Sequence, residues 1–418
     1  MNSILEYLDK NFTLPVRDPL WRNINLSPGF KKLLADRSFQ RLGRIKQLGP
    51  AFHVYPGAVH TRLNHSLGVF HIAEKMIRSL LRHTAPQLMT IDGAKAFLCA
   101  ALFHDLGHFP FAHSLKELPL RDHEILSSEI ILSPPLSTAI KESLGIEPAF
   151  AAAIINENMS DDGNPEIRFY RRILSGVLDP DKLDYLNRDA FFCGVPYGIQ
   201  DADFIIDKLT SYRNLPALDH SGILAVENLL FSKYLMYKTV YWHKTVRIAT
   251  GMIKKALFMA LKEGTIQDAD LYNIDDEQFF QILSKKEYRP FSLIEGVLNR
   301  NFYKSVIEKE FSTGNPSHEK LLDLDYRFSV SAAFASKLSR RMQRTVYPES
   351  VIIDIPEPIS FEVDIAITEG TSHRKFINAD SVFSRSVVQG FTESLRKIRL
   401  FVPEDLKEAA TDLAAELF

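Results

Sequence analysis

Cysteine is nearly missing from this 418-residue chain: there are two, Cys99 and Cys193, each among apolar neighbours. A disulfide framework is thereby excluded as the main source of stability, and a reducing, cytoplasmic setting is expected. Excess charge of one sign is missing too, since the formal net charge is −2, so no global electrostatic case exists for nucleic acid or an anionic membrane as the main partner. Long apolar runs are absent: AFLCAALF at 96–103 is far too short to cross a bilayer. The opening MNSILEYLDKNF lacks the basic and apolar regions of a secretory signal, and an intracellular protein with no membrane partner is expected. What remains is ordinary globular composition, 45% hydrophobic and 24% charged, enough for a large core.

Helical periodicity dominates up to about residue 340. After His65, apolar residues recur at Leu67, Phe70, Ala73, Ile77, Leu80 and Leu81. A second helix is predicted from Asp92 as N-cap to a stop at Gly107, and a third from Asp122 through Ile131, ended by Pro134-Pro135. Another runs from Asp181 to Phe192 before Gly194 and Pro196, and Val226–Glu263 reads as one long helical segment. Near residue 347 the register changes. YPESVIIDIPEPISFEVDIAITEG has short β-branched runs separated by Pro, Glu and Gly, which predict strands, and a final helix covers Pro403–Phe418. The expectation is an all-α body over residues 1–340 and a small α+β region over 341–418.

Of 13 histidines, eight lie between His60 and His123, three of them within FHDLGHFPFAH (103–113). Burying that many polar groups without partners costs several kcal/mol, roughly 2–7 each, so a cation or a charged ligand is expected beside them. Antiparallel packing of two helices close in sequence brings His65, at the start of one, near His104 and Asp105, at the end of the next. Asp181 in LDPDKLDYLNRD is a further candidate ligand. Two imidazoles and two carboxylates suit Mn, Fe, Ni, Co or Zn better than Mg or Ca alone. Taken singly, His65 reads as a helix cap, Asp181 as a helix N-terminal carboxylate favoured by the macrodipole, and Tyr185 and Tyr241 as core aromatics. Asp181, Asp184 or Tyr185, and Arg188 share one face at helical spacing.

The stretches FQRLGRIKQLGPAFHVYPGAVHTRLNHSLG (39–68), HDLGHFPFAH (104–113), DHE (122–124) and LDPDKLDYLNRD (178–189) resemble the HD-domain phosphohydrolases. Within them the likeness is to the deoxynucleoside triphosphate triphosphohydrolases, over roughly residues 30–250. The resemblance implies an all-α HD core, with 1–340 as the phosphohydrolase domain, and a metal-dependent enzyme that cleaves a dNTP to deoxynucleoside and inorganic triphosphate. It implies metal ligands His65, His104, Asp105 and Asp181, with Mg accompanying the substrate phosphates. His108, His113 and His123 would line the phosphate site, His113 as general acid with Asp179 orienting it. Arg62, Lys182 and Lys233, the last where the family has arginine, match phosphate contacts. Gln47 and Asp189 match contacts to the sugar 3′-hydroxyl, and Tyr185 and Tyr241 match aromatics against the ribose. A dNTP and further copies of the chain are the partners implied.

The chain also departs from that family. WRNINLSPGF replaces an HGHIELHP-like stretch, Ala35 stands where the vertebrate relatives have an aspartate that reads an activating guanine, and Gly43 replaces an arginine there. Activity without guanine nucleotide is the expectation. The basic run Lys31, Lys32, Arg37, Arg41, Arg44 and Lys46 reads either as a phosphate-facing surface or as a solvated helix face. Rival functions are another HD phosphohydrolase (a nucleotidase, or a nuclease on single-stranded nucleic acid, which nothing in the composition supports) and a nucleotide-binding regulator without turnover.

Overall fold

The computed structural model describes residues 3–83, 88–361, 363–370, 372–379 and 381–414. Three helices frame the functional end of the molecule. Arg62–His83 packs against both Ile91–Phe103 and Pro180–Cys193. The middle one is buried almost all round because its sequence, IDGAKAFLCAALF, is apolar on every face after the first turn. Fully buried Phe70, Phe97 and Phe103 tie these helices to the surrounding core, against Phe30, Tyr170 and Phe39 in turn, each burial contributing roughly 1.5–3 kcal/mol relative to exposure. Gly68 permits the closest approach: a Cβ there would lie 1.8 Å from Asp184 Oδ1 on the Pro180–Cys193 helix.

Helix ends follow local chemistry. Asp179 caps Pro180–Cys193 by accepting from the Lys182 amide, proline follows directly, and Gly194 at φ 67° ends the helix. Asp122 caps His123–Leu132 in the same way. The Ile91–Phe103 helix is capped by Thr90, whose side chain accepts from the Gly93 amide, rather than by Asp92, and it stops at Phe103 rather than at Gly107. The expected single segment Val226–Glu263 is two α-helices, Ile223–Met236 and Lys244–Lys262, separated by a π turn at Tyr237–Tyr241. His243 caps the second by accepting from the Thr245 amide.

The strands form three small sheets: the hairpin Leu14–Asp18/Arg22–Leu26, a four-stranded sheet and a three-stranded one. In the four-stranded sheet Leu215–Asp219 pairs with Leu209–Tyr212 and, in parallel, with Ala366–Glu369. Ser372–Lys375 completes that sheet as the antiparallel partner of Ala366–Glu369. In the three-stranded sheet Lys397–Val402 is central, flanked by Lys304–Glu310 and Ile352–Asp354. Both larger sheets thus take strands from either side of residue 340. The last helix is Lys407–Ala414, and the expected extension to Phe418 lies outside the described residues. The architecture is an all-α core carrying a small α+β C-terminal region. Among the described residues no helix is long and apolar enough to cross a membrane.

Candidate metal and phosphate site

His65 lies in the first turn of Arg62–His83 and is 1% exposed. Its Nδ1 donates to Asp184 Oδ2 at 2.8 Å, which leaves Nε2 facing the cavity 2.8 Å from Asp181 Oδ1. Asp184 is itself held by Arg188 and by the Trp21 indole N–H, and Arg188 bridges on to Asp18. On the neighbouring helix His104 donates Nδ1–H to the Ala101 carbonyl at 2.9 Å, so its Nε2 also faces the cavity. That Nε2 is buried without a hydrogen-bond partner among the described residues, 3.3 Å from Asp105 Oδ1 and 3.8 Å from Asp181 Oδ1. Ser127 fixes the loop by accepting from the Gly107 amide and donating to the His104 carbonyl.

Ring nitrogens anchored at Nδ1 and open at Nε2 are how histidines present themselves to a metal. Ligand atoms of His65, His104 and Asp181 lie within 4.8 Å of one another, and Asp105 closes a mixed nitrogen and oxygen set of four that fits a divalent transition metal. Burial pulls the His65 imidazole down, but hydrogen bonds and charge from Asp181 and Asp184 outweigh it and raise it to about 10. Asp181 is enclosed by the protein, yet 40% of its side-chain surface opens into the cavity. Burial would raise its carboxyl, and the His65 contact brings it down to about 2.

Asp105, His108 and His123 form a second convergent group. His108 Nε2 lies 3.1 Å from Asp105 Oδ1 and its Nδ1 is buried without a hydrogen bond among the described residues, and its ring stacks on His123 at 4.0 Å and lies 4.6 Å from His113. Arg62 Nη1 donates to Asp105 Oδ2 at 2.7 Å. A guanidinium beside the one carboxylate of this group makes it better suited to an anion than to a second cation. Burial, with Arg62 and His123 close by, holds His108 and His113 well below the ordinary imidazole value. His113 opens into the cavity.

The cavity, about 610 Å³, is lined by every residue that the family resemblance implies as metal ligand, catalytic group or substrate contact except His108. Lys182 donates to the Gly176 carbonyl and to Asp179, and Lys233 donates to the Ser360 carbonyl at 2.6 Å. The Asp179 carboxylate is taken up by Lys182 through both its amide and its ammonium, and no hydrogen bond joins it to His113 among the described residues. Burial lifts the Asp179 carboxyl to about 7 against the pull of Lys182. Farther along, Tyr241 donates its hydroxyl to Asp189 Oδ2 at 2.7 Å and meets Tyr185 edge-to-face at 6.3 Å. The π turn swings Tyr241 to this position, a common use of such turns.

Two supports were not legible. Trp21 reaches Asp184 from 163 residues away, with no local signal in its sequence. Arg41, in the basic run, is buried and donates to the carbonyls of Leu106, His108 and Ile274, so it shapes the HDLGH loop and does not face phosphates. Arg44 pairs with Asp275, Lys46 pairs with Asp276 while lining the cavity, and Lys31, Lys32 and Arg37 are on the exposed face.

Comparison with known proteins agrees with this geometry. Residues 62–159 match the HD domain family and residues 200–418 match the family described as HD associated region. An uncharacterized protein of Methanocaldococcus jannaschii, MJ1154, is 31% identical over 362 residues, 85% of this chain and 72% of that one. A hypothetical protein from Aquifex aeolicus has a solved structure that superposes with a TM-score of 0.73 at 27% identity, covering 95% of this chain and 98% of that one. The deoxynucleoside triphosphate triphosphohydrolase SAMHD1 of Danio rerio is 25% identical over 377 residues, 76% of this chain and 60% of its own length. Anchored histidines, a mixed ligand set and these two family matches lead to one conclusion: the chain belongs to the HD-domain superfamily of metal-dependent phosphohydrolases.

Proposed function

We propose that the protein is a dNTP triphosphohydrolase, releasing deoxynucleoside and inorganic triphosphate. The observation that carries this reading is one cavity holding three things side by side. These are the metal seat, a cationic wall of Arg62 and Lys182, and the Asp189–Tyr241 pair on the far side. A cation held by His65, His104, Asp105 and Asp181 would supply Lewis acidity, bringing the pKa of water toward neutrality. Arg62, Lys182 and Lys233 hold the polyphosphate, whose charge of about −4 needs several cations. Water oxygen bonds to the α-phosphorus, the bond from that phosphorus to O5′ breaks, and His113 delivers the proton that O5′ requires. The anion's own charge raises the His113 imidazole, opposing the burial that lowers it. Gln47 and Asp189 hold the 3′-hydroxyl, and Tyr241 crowds the 2′ position against a ribonucleotide.

The same reading includes assembly with further copies of the chain and, because Ala35 and Gly43 offer neither carboxylate nor cation, turnover of dATP within about twofold with or without GTP. The test is an assay of the purified protein on the four dNTPs and on ATP with Mn²⁺, Mg²⁺ or Co²⁺. Triphosphate and deoxynucleoside are expected from dNTPs, with ATP a poor substrate. Orthophosphate or nucleoside monophosphate would point to a nucleotidase or nuclease instead.

A further inference from the structure

His60 does not line the cavity, yet both groups read as sugar contacts hang on it. Its ring is 3% exposed and lies parallel to Phe192 at 4.6 Å. Nε2 is 2.7 Å from Asp189 Oδ1, and because the other oxygen of that carboxylate already accepts from Tyr241, the carboxylate is an acceptor and Nε2 donates. Nδ1 has no hydrogen-bond partner among the described residues, so the ring's polar contact there is with Asp189. The His60 carbonyl meanwhile accepts from the Gln47 amide at 3.0 Å, within a short bridge in which Arg62 N also donates to the Ile45 carbonyl. Gln47 lines the cavity, and its buried Oε1 has no hydrogen-bond partner among the described residues.

We propose that His60 is a positioning residue for sugar recognition: it fixes Asp189 through its side chain and Gln47 through its backbone, and so sets selectivity for a 3′-hydroxyl. The inference rests on the reading of Gln47 and Asp189 as sugar contacts. Without the imidazole donor, Asp189 keeps Tyr241 alone and can turn about its side-chain torsions, so its oxygens are no longer aimed. A misdirected acceptor loses the discrimination that a buried, charge-assisted hydrogen bond provides, an effect of roughly tenfold or more.

The experiment compares kcat and KM for dATP and for its 2′,3′-dideoxy analogue in the metal-loaded full-length protein, wild type against His60→Phe and His60→Gln. His60→Phe keeps the ring stack and loses the donor, whereas His60→Gln retains a donor. The expected result is a wild-type preference for dATP that falls about tenfold in His60→Phe, through a raised KM for dATP. Turnover of the dideoxy analogue stays within about threefold, and His60→Gln recovers much of the preference. Equal losses on both substrates, or an unchanged ratio, would overturn the inference while leaving the substrate reading intact. A wild type indifferent to the 3′-hydroxyl, or inactive on dATP, would overturn both. If His60→Phe does not fold, His60→Asn, too short to reach Asp189, replaces it under the same criteria.

Discussion

Two sets of buried polar groups face the same cavity and are satisfied in opposite ways. Toward the α+β region, Lys254 and Arg327 both donate to Glu117, and Arg247 is paired with Asp354 through two nitrogens. Each charge there has an opposite charge in contact. At the HD end, polar atoms are anchored on their outer side and open on their inner side: His104 Nε2 and Gln47 Oε1 are buried without hydrogen bonds among the described residues. Partners for these groups must come from outside the chain, because an unmade hydrogen bond in a buried site costs about 1–3 kcal/mol. Charge count alone does not distinguish the two regions. The direction in which the groups are left open does.

Substitutions sharpen that contrast. The largest effect is expected for His104→Ala, which should abolish turnover and metal content, as read by elemental analysis, while the thermal midpoint of the metal-free protein changes little. His113→Ala comes next: metal is retained and turnover falls by roughly 10²–10⁴ if it supplies the proton. Activity within a few-fold of wild type would move the general acid elsewhere, with His123 the next candidate. Arg327→Met should do the reverse of His104→Ala, leaving metal content intact while destabilising the fold by about 3–5 kcal/mol in urea unfolding, because Glu117 keeps only Lys254.

The smallest effect is one of pH. Burial alone would raise the Glu117 carboxyl, but Lys254 and Arg327 bring it down to about 2. A depressed folded-state value means that its stabilising contribution is complete above the unfolded value near 4.5 and is lost as pH falls toward 2. Wild type and Glu117→Gln should therefore differ in urea midpoint at pH 7, and the gap should narrow as pH falls below 4.5, to about half or less by pH 3. A gap undiminished at pH 3 would show that the ion pairs are not its source.

Much of this was legible because short-range chemistry dictates it. The apolar stripe after His65 gives the first framing helix, and Asp122 and Gly194 mark ends that the backbone respects. Helix order brought His65 forward beside His104 and Asp105, and the family resemblance added Asp181 to make a set of four. Ligand atoms of His65, His104 and Asp181 lie within 4.8 Å of one another, with Asp105 Oδ1 3.3 Å from His104 Nε2. What stayed hidden depends on residues far apart in sequence. No proline or glycine announces the π turn at Tyr237–Tyr241, and nothing near Trp21 or Arg41 reveals that they brace Asp184 and the HDLGH loop. Lys304–Glu310 finds its partner, Lys397–Val402, 87 or more residues later, and the hairpin of Leu209–Tyr212 with Leu215–Asp219 is extended by Ala366–Glu369, 149 residues on. Both segments fall inside the expected helical body over residues 1–340.

The central claim, attack at the α-phosphorus of a dNTP in the HD cavity, is tested most directly by hydrolysing dATP in ¹⁸O-enriched water and weighing the products. The account predicts triphosphate carrying one ¹⁸O and unlabelled deoxyadenosine. Label in orthophosphate, in a nucleoside mono- or diphosphate, or in deoxyadenosine itself would contradict it.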